Sequence, residues 1–361
     1  MRAVVMSATS MRGAGMLAWR AVSATEPAYP VGMARSPFML AAVAASAVPG
    51  LDAVSVAAAP HHADDVDAAV LGDREGGHVT VQVPRTKAAE ERQSAELRAL
   101  TALTPGARAR LPFDVATVIG QAPVRPTRGV VLSWCAGTPV TLGGIPTEPN
   151  GLGWMIGRAV AAIHDLPSAV VTDVGLPVSG PADARRSAES LAERAASTGL
   201  LPAAVRERWE DAVNDAELWQ FEPTVIGGDL AAGSFLADDA GLASVVGWHG
   251  LAIGDPASDL AWAVPSEAVA DAVFAGYASI AGQTDRRLRH RAALRSELGL
   301  ARWLLHGTEQ RDTDVVDDAV ELLTTLAERV HGDMTARIQP TTRPILTVDE
   351  VEDLLDRRTA G

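Results

Sequence analysis

Ile226-Gly227-Gly228-Asp229-Leu230-Ala231-Ala232-Gly233-Ser234-Phe235 is the stretch on which the reading of this chain turns. The apolar run Thr224-Val225-Ile226 breaks at a glycine doublet, a carboxylate follows, and a second apolar run opens at Phe235, so the pattern is strand, tight loop, strand. Asp238-Asp239-Ala240-Gly241 has turn chemistry and is flanked by further short strands. Val246-Gly247-Trp248 comes next. Then Gly254-Asp255-Pro256-Ala257-Ser258-Asp259-Leu260-Ala261 reads as a tight turn followed by a helix start, with Pro256 suited to the first helical turn.

These three pieces, in this order and without a gap, resemble the aminoglycoside phosphotransferase family, including its macrolide-phosphotransferase branch. There the loop reads roughly H-G-D-L-H-P-G-N, followed by I-D-W and then G-D-P-x-x-D-L-A. The resemblance implies an α+β, protein-kinase-like fold of two lobes, a small β-rich N-lobe and a larger helical C-lobe. Kinase-type loops set a base Asp and a metal-binding Asn five residues apart, which maps the base onto Asp229 and the Asn onto Ser234. The metal-binding Asp of I-D-W maps onto Gly247 and the loop's leading His onto Gly227, while Asp259 matches an Asp that braces the loop from beneath, with Asp255 in the turn before it.

The resemblance extends upstream, over about residues 33–331. Val79-Thr80-Val81-Gln82-Val83-Pro84-Arg85 resembles the N-lobe strand that carries a basic phosphate-binding residue, here Gln82. The next helix, with Glu96 and Leu100, resembles the one whose Glu pairs with that residue. Val130-Val131-Leu132-Ser133-Trp134-Cys135-Ala136-Gly137 resembles the hinge where backbone groups hold adenine, and the run 156–164 resembles the first long C-lobe helix.

The departures fall on chemical positions. Phosphoryl transfer is mostly positioning and charge neutralisation by metal and its ligands. Magnesium prefers hard oxygen donors, usually including carboxylate, and the expected carboxylate is replaced by Gly247. The pattern predicts a weakly active or inactive pseudokinase that binds a ligand or regulates. The alternative is an active transferase moving the γ-phosphate of ATP or GTP, with Mg, to a small-molecule hydroxyl, Asp229 acting as base. A protein-interaction subunit with a filled cleft is a third reading. Asp229 reads equally as base or as a loop-capping carboxylate. His249, two residues past Gly247, is a candidate nitrogen ligand suited to manganese or zinc rather than magnesium. Arg85 is a candidate replacement for the missing strand cation, or a salt-bridged surface residue.

Composition sets the outer bounds. The chain has 361 residues, 47% of them apolar, enough for one two-lobed unit or two ordinary domains. A net charge of −14 argues against a nucleic-acid partner and suits a cationic small molecule. The single cysteine, Cys135, excludes an intramolecular disulfide framework and fits a reducing cytoplasm. No apolar run reaches the length of a bilayer span, so no membrane partner is expected. His61-His62 beside Asp64-Asp65 lacks proper ligand spacing and reads as solvated surface.

The expected division is a leader or upstream extension over 1–32, an N-lobe over 33–134, a C-lobe over 135–336 and a tail over 337–361. The N-lobe begins with a short Ala-rich packing helix over 38–48. Strands follow over 52–58, 67–72 and 79–83, then a helix over 87–103 and two strands leading to the hinge. Gly76-Gly77 reads as a hairpin turn rather than a phosphate-covering loop. Helices are expected over 152–166, 182–197, 202–219, 256–264, 266–281, 285–306 and 314–330. In the tail, Thr347-Val348-Asp349-Glu350 makes a capping box. Val348, Val351, Leu354 and Leu355 then share one face, which docks on the chain's own body or receives a protein partner.

Overall fold

The computed structural model describes residues 34–59, 63–228, 230–282 and 285–338. The leader, His61-His62, the base candidate Asp229 and the tail helix lie outside the described residues.

The N-lobe opens with α1 (Pro37–Ala47), started by Ser36, whose side chain accepts from the Met39 N–H, and by a proline in the first turn. It lies across a five-stranded antiparallel sheet built from β1 (Ala53–Ala58), β2 (Val66–Asp73), β3 (His78–Pro84), β4 (Val118–Val124) and β5 (Thr127–Ser133), in the order β1-β2-β3-β5-β4. Alternation along β3 divides its side chains between the two faces. Val79, Val81 and Val83 join Leu40 and Ala44 of α1 in one apolar cluster. Thr80 and Gln82 pair across the sheet with Leu132 and Val130, which belong to a different and larger core. After β3 comes α2 (Lys87–Ala102), capped by Thr86, and the single turn α3 (Pro105–Arg108).

Beyond the hinge come β6 (Thr138–Pro139), α4 (Leu152–His164), α5 (Ala169–Thr172), α6 (Pro181–Ser197) and α7 (Ala203–Asn214). The short strands β7 (Thr224–Ile226), β8 (Phe235–Asp238), β9 (Gly241–Val245) and β10 (Ala252–Gly254) follow. The chain then runs through α8 (Glu267–Ala281), α9 (Leu288–Gln310) and α10 (Thr313–Ile338). β7 pairs with β10, and β8 with β6 and β9.

One continuous core joins the two parts. Leu97 and Leu100 of α2, Val130 and Leu132 of β5, Ile156 and Val160 of α4, and Phe235, Val245, Trp248 and Leu260 around the loop all belong to it. A second core around Trp209, Leu298, Leu304 and Leu323 binds α6, α7, α9 and α10 together. The loop therefore rests on packed elements from both lobes.

Several boundaries differ from the sequence reading, each for a local reason. The helix expected over 202–219 ends at Asn214 because Asp215 accepts from the N–H groups of Glu217 and Leu218, offering the backbone a turn instead. Asp285 does the same to Arg287, and α9 begins only at Leu288. The helix expected over 256–264 is a 3-10 helix, Pro256–Ala263, and α10 continues to Ile338. Gly76-Gly77 forms the turn between β2 and β3, where the Gly77 N–H donates to Asp73 Oδ1 at 2.7 Å. No helix among the described residues is long and apolar enough to cross a membrane.

Candidate functional site at the loop after β7

The loop is held from beneath by a single carboxylate. Asp259, in the 3-10 helix and fully buried, accepts from the Gly227 N–H at 2.7 Å and from the Gly228 N–H at 2.8 Å. His164 Nε2, at the end of α4, lies 3.2 Å from Asp259 Oδ2, and its Nδ1 lies 2.9 Å from the Tyr277 hydroxyl. A carboxylate acceptor next to Nε2 places the ring hydrogen there, so Nδ1 accepts from the tyrosine. Tyr277 can serve as that donor because burial pushes its phenol up, and the Asp285, Asp259 and Asp255 carboxylates add to this. The chain of bonds thus runs Tyr277 to His164 to Asp259 to the loop backbone, out of reach of water. Sequence reasoning missed His164 and Tyr277. Their only signal was a lone histidine closing an apolar helix.

Gly228 has φ +88°, and a Cβ there would stand 2.1 Å from the Gly250 carbonyl oxygen. Only glycine fits this approach of two backbones. The turn after β10 is fixed as firmly. Asp255, also buried, accepts from the Ala257 N–H and from the guanidinium groups of Arg291 and Arg295. Arg291 is itself buried, donates to Asp285 and to the Leu218 carbonyl, and lies over the Phe221 ring. Asp255 was marked by its motif, but its partners Arg291 and Arg295 went unseen in the sequence, because no motif marks them.

The two metal positions inferred from the resemblance are neighbours. A Cβ on Gly247 would lie 3.6 Å from Ser234 Oγ, with no other contact within 4 Å among the described residues beyond its chain neighbours. Gly247 adopts a left-handed conformation, φ +83°. Ser234 Oγ is engaged, accepting from the Ala231 N–H at 3.2 Å. What faces this space from the two positions is one neutral hydroxyl and a bare backbone, which does not fit magnesium's need for hard, usually anionic oxygen. Among the described residues no group of three or more His, Cys, Asp or Glu side chains is placed to hold a metal ion.

The remaining candidates fall in different places. Trp248 is buried in the core, its Nε1 donating to the Val245 carbonyl. His249, next in sequence, comes out of the core, and its Nδ1 lies 3.7 Å from Glu96 Oε2. Glu96 therefore meets the turn after Gly247. The α2 residue found at Gln82 is Gln93, whose Nε2 donates to the Gln82 carbonyl at 3.4 Å. Arg85 lies 3.7 Å from Asp67, which also accepts from Arg35, so its charge belongs to that cluster.

At the hinge, Ser133 exchanges hydrogen bonds with Thr117: its N–H donates to the Thr117 carbonyl and its Oγ accepts from the Thr117 N–H. The Trp134 N–H donates to the His78 carbonyl at 3.3 Å. Cys135 is buried, and desolvation pushes its thiol up to about 11. It is a packing residue with a muted nucleophile.

A β-sheet lobe and a helical lobe meeting at a loop braced in this way define a kinase-like phosphotransferase fold. The signature of the Phosphotransferase enzyme family matches residues 58–295, and the chain belongs to that family. Among solved structures it is similar to macrolide 2'-phosphotransferase MphH from Brachybacterium faecium, at 21% identity and a TM-score of 0.66, covering 80% of this chain and 98% of that one. It is likewise similar to macrolide 2'-phosphotransferase type I, at 21% identity and a TM-score of 0.64, covering 81% and 98%. The GDP complex of aminoglycoside 2'-phosphotransferase-IIIa is similar at 17% identity and a TM-score of 0.67, covering 82% and 99%. No curated protein matches the chain by sequence.

Proposed function

We propose that this chain is a catalytically weakened or inactive member of the phosphotransferase family that binds a nucleotide or small cationic ligand and acts as a binding or regulatory module. The observation that carries this reading is the pairing of Gly247 with Ser234: the two positions adjoin, and neither supplies a carboxylate. Without one, the negative charge gathered in phosphoryl transfer has little to offset it there. Relatives of similar fold have been seen with GDP, and with GDP and kanamycin, which makes a nucleotide and an aminosugar the first ligands to try.

The test is calorimetric and thermal titration of the full chain with ATP and GTP, each with and without magnesium or manganese, alongside a phosphate-transfer assay on macrolides and aminoglycosides. Binding that is indifferent to metal, without transfer, supports the reading. Metal-dependent transfer to any acceptor at an ordinary kinase rate, about 1–100 s⁻¹, overturns it.

The second reading, an active transferase of ATP or GTP acting on a small-molecule hydroxyl with Asp229 as base, has one observation in its favour. The brace of Asp259, His164 and Tyr277 beneath the loop is complete. Turnover abolished by Asp229→Ala, with nucleotide binding intact, is the result that favours it.

A further inference from the structure

Among the described residues β1 is an outer strand of the N-lobe sheet, hydrogen-bonded on one side, to β2. Its sequence, Ala53-Val54-Ser55-Val56-Ala57-Ala58, holds neither a charge nor a proline, the devices with which outer strands commonly block a further strand. All of its residues but Val56 are exposed, and Val54 retains 55% of its surface. A bulge lies between Ala53 and Ser55, leaving the remainder regular. The opposite outer strand, β4, contains Pro123. α1, which packs on the sheet, leaves Phe38 and Met39 78% and 58% exposed.

Charge decides what this edge can receive. Between Pro37 and Ala58 the only ionisable side chain is Asp52, and Arg74 is ion-paired with it. The chain as a whole carries −14, so two copies repel wherever their acidic surfaces meet. A twofold interface sets each residue near its own kind, which an uncharged strand permits and a charged one does not. A basic partner, by contrast, would find almost no acid here to answer it. β1 already pairs antiparallel with β2, and two copies about a twofold axis present the same strand in opposite directions, as antiparallel pairing requires.

We propose that β1 pairs antiparallel with β1 of a second copy about a twofold axis, joining two five-stranded sheets edge to edge. The inference is independent of whether the loop after β7 is catalytically competent.

Sedimentation equilibrium of the full chain tests it, with the double variant Val54→Lys/Ala57→Lys as comparison and circular dichroism confirming that the variant is folded. The expected result is twice the 37.6 kDa chain mass for the unaltered protein and a single chain for the variant. A second measurement avoids the folding question. Cys135 is buried, so single cysteines introduced at Val54, Ser55 or Ala57 report their own oxidation, and at least one of them cross-links two chains, whereas Gln121→Cys on β4 does not. A single chain at every concentration overturns the proposal. So does a dimer that survives the lysines or cross-links through Gln121→Cys. Protection of the β1 amides from hydrogen exchange in a monomer also overturns it, since another part of the chain then covers the edge.

Discussion

Glu96 Oε2 stands 3.7 Å from His249 Nδ1, so the helix of the small lobe meets the turn that follows Gly247 through an acid and an imidazole. Both side chains are partly exposed, which weakens the pair by solvent screening. A double-mutant cycle of Glu96→Ala and His249→Ala, followed by urea unfolding, is expected to give a coupling of about 0.2–1 kcal/mol. A value near zero removes the contact as a tie between α2 and the loop region.

Asp259 is worth far more. Asp259→Ala leaves the Gly227 and Gly228 N–H groups and the His164 ring without their buried acceptor. Each orphaned buried donor costs about 1–3 kcal/mol. A loss of stability of about 3–5 kcal/mol is expected by chemical denaturation, comparable to other broken buried networks. A loss under about 1 kcal/mol contradicts the brace.

The glycine doublet separates into two unequal halves. At Gly228 a methyl group meets the Gly250 carbonyl and adopts positive φ, so Gly228→Ala is expected to cost about 3 kcal/mol or more. At Gly227 the three nearest atoms all belong to the Leu230 side chain, at 2.8–3.0 Å, rather than to backbone. Gly227→Ala should cost about 1–2 kcal/mol, and parallel thermal melts of the two variants give the comparison.

Rebuilding the metal pair tests the chemistry directly. Gly247→Asp has room, with Ser234 Oγ at 3.6 Å from the new Cβ, but its left-handed backbone costs about 1–2 kcal/mol. With Ser234→Asn added, the variant is expected to melt lower than the parent in the absence of ligand. It is also expected to gain a magnesium-dependent stabilisation by ATP or GTP greater than the parent's. If the parent already responds as strongly, the two positions do not decide metal binding.

Cys135 supplies a pH prediction. Its thiol is held near 11 in the fold against an ordinary value of 9.0. The unfolded chain therefore releases this proton first as pH rises. The resulting stability is fully present below about 9 and is lost as pH climbs through about 11, a span of about 2–3 kcal/mol. Thiol labelling of the folded protein should stay slow at pH 8 and become fast on unfolding. Rapid labelling of the folded protein at pH 8 contradicts the buried assignment.

The loop, the turn at Asp255 and the alternation of β3 were legible because each is written in a few adjacent residues: glycines where backbones approach, a proline in a first helical turn, valines every second position. Pairings across the chain were not. His164 and Tyr277 are 113 positions apart, and no local pattern announces that one closes the other's hydrogen bonds. The partner of Glu96 was mistaken for a related reason, whereas Arg85 is the salt-bridged residue that one of its two readings expected. Which face a side chain takes, and what then lies opposite, is set by the packing of α1 and α2 on the sheet. Helix ends at Asn214 and Leu288 moved because nearby aspartates hydrogen-bond the backbone, a competition that apolar periodicity does not register.

The brace beneath the loop has a consequence for how such a protein changes over generations. Asp259 grips the loop by its main-chain amides, not its side chains, and is itself anchored from below by His164. The course of the loop is therefore largely indifferent to what its residues carry outward. Reactive groups can be shed or regained one at a time without the surrounding architecture being renegotiated, so the same frame can pass between enzyme and receptor.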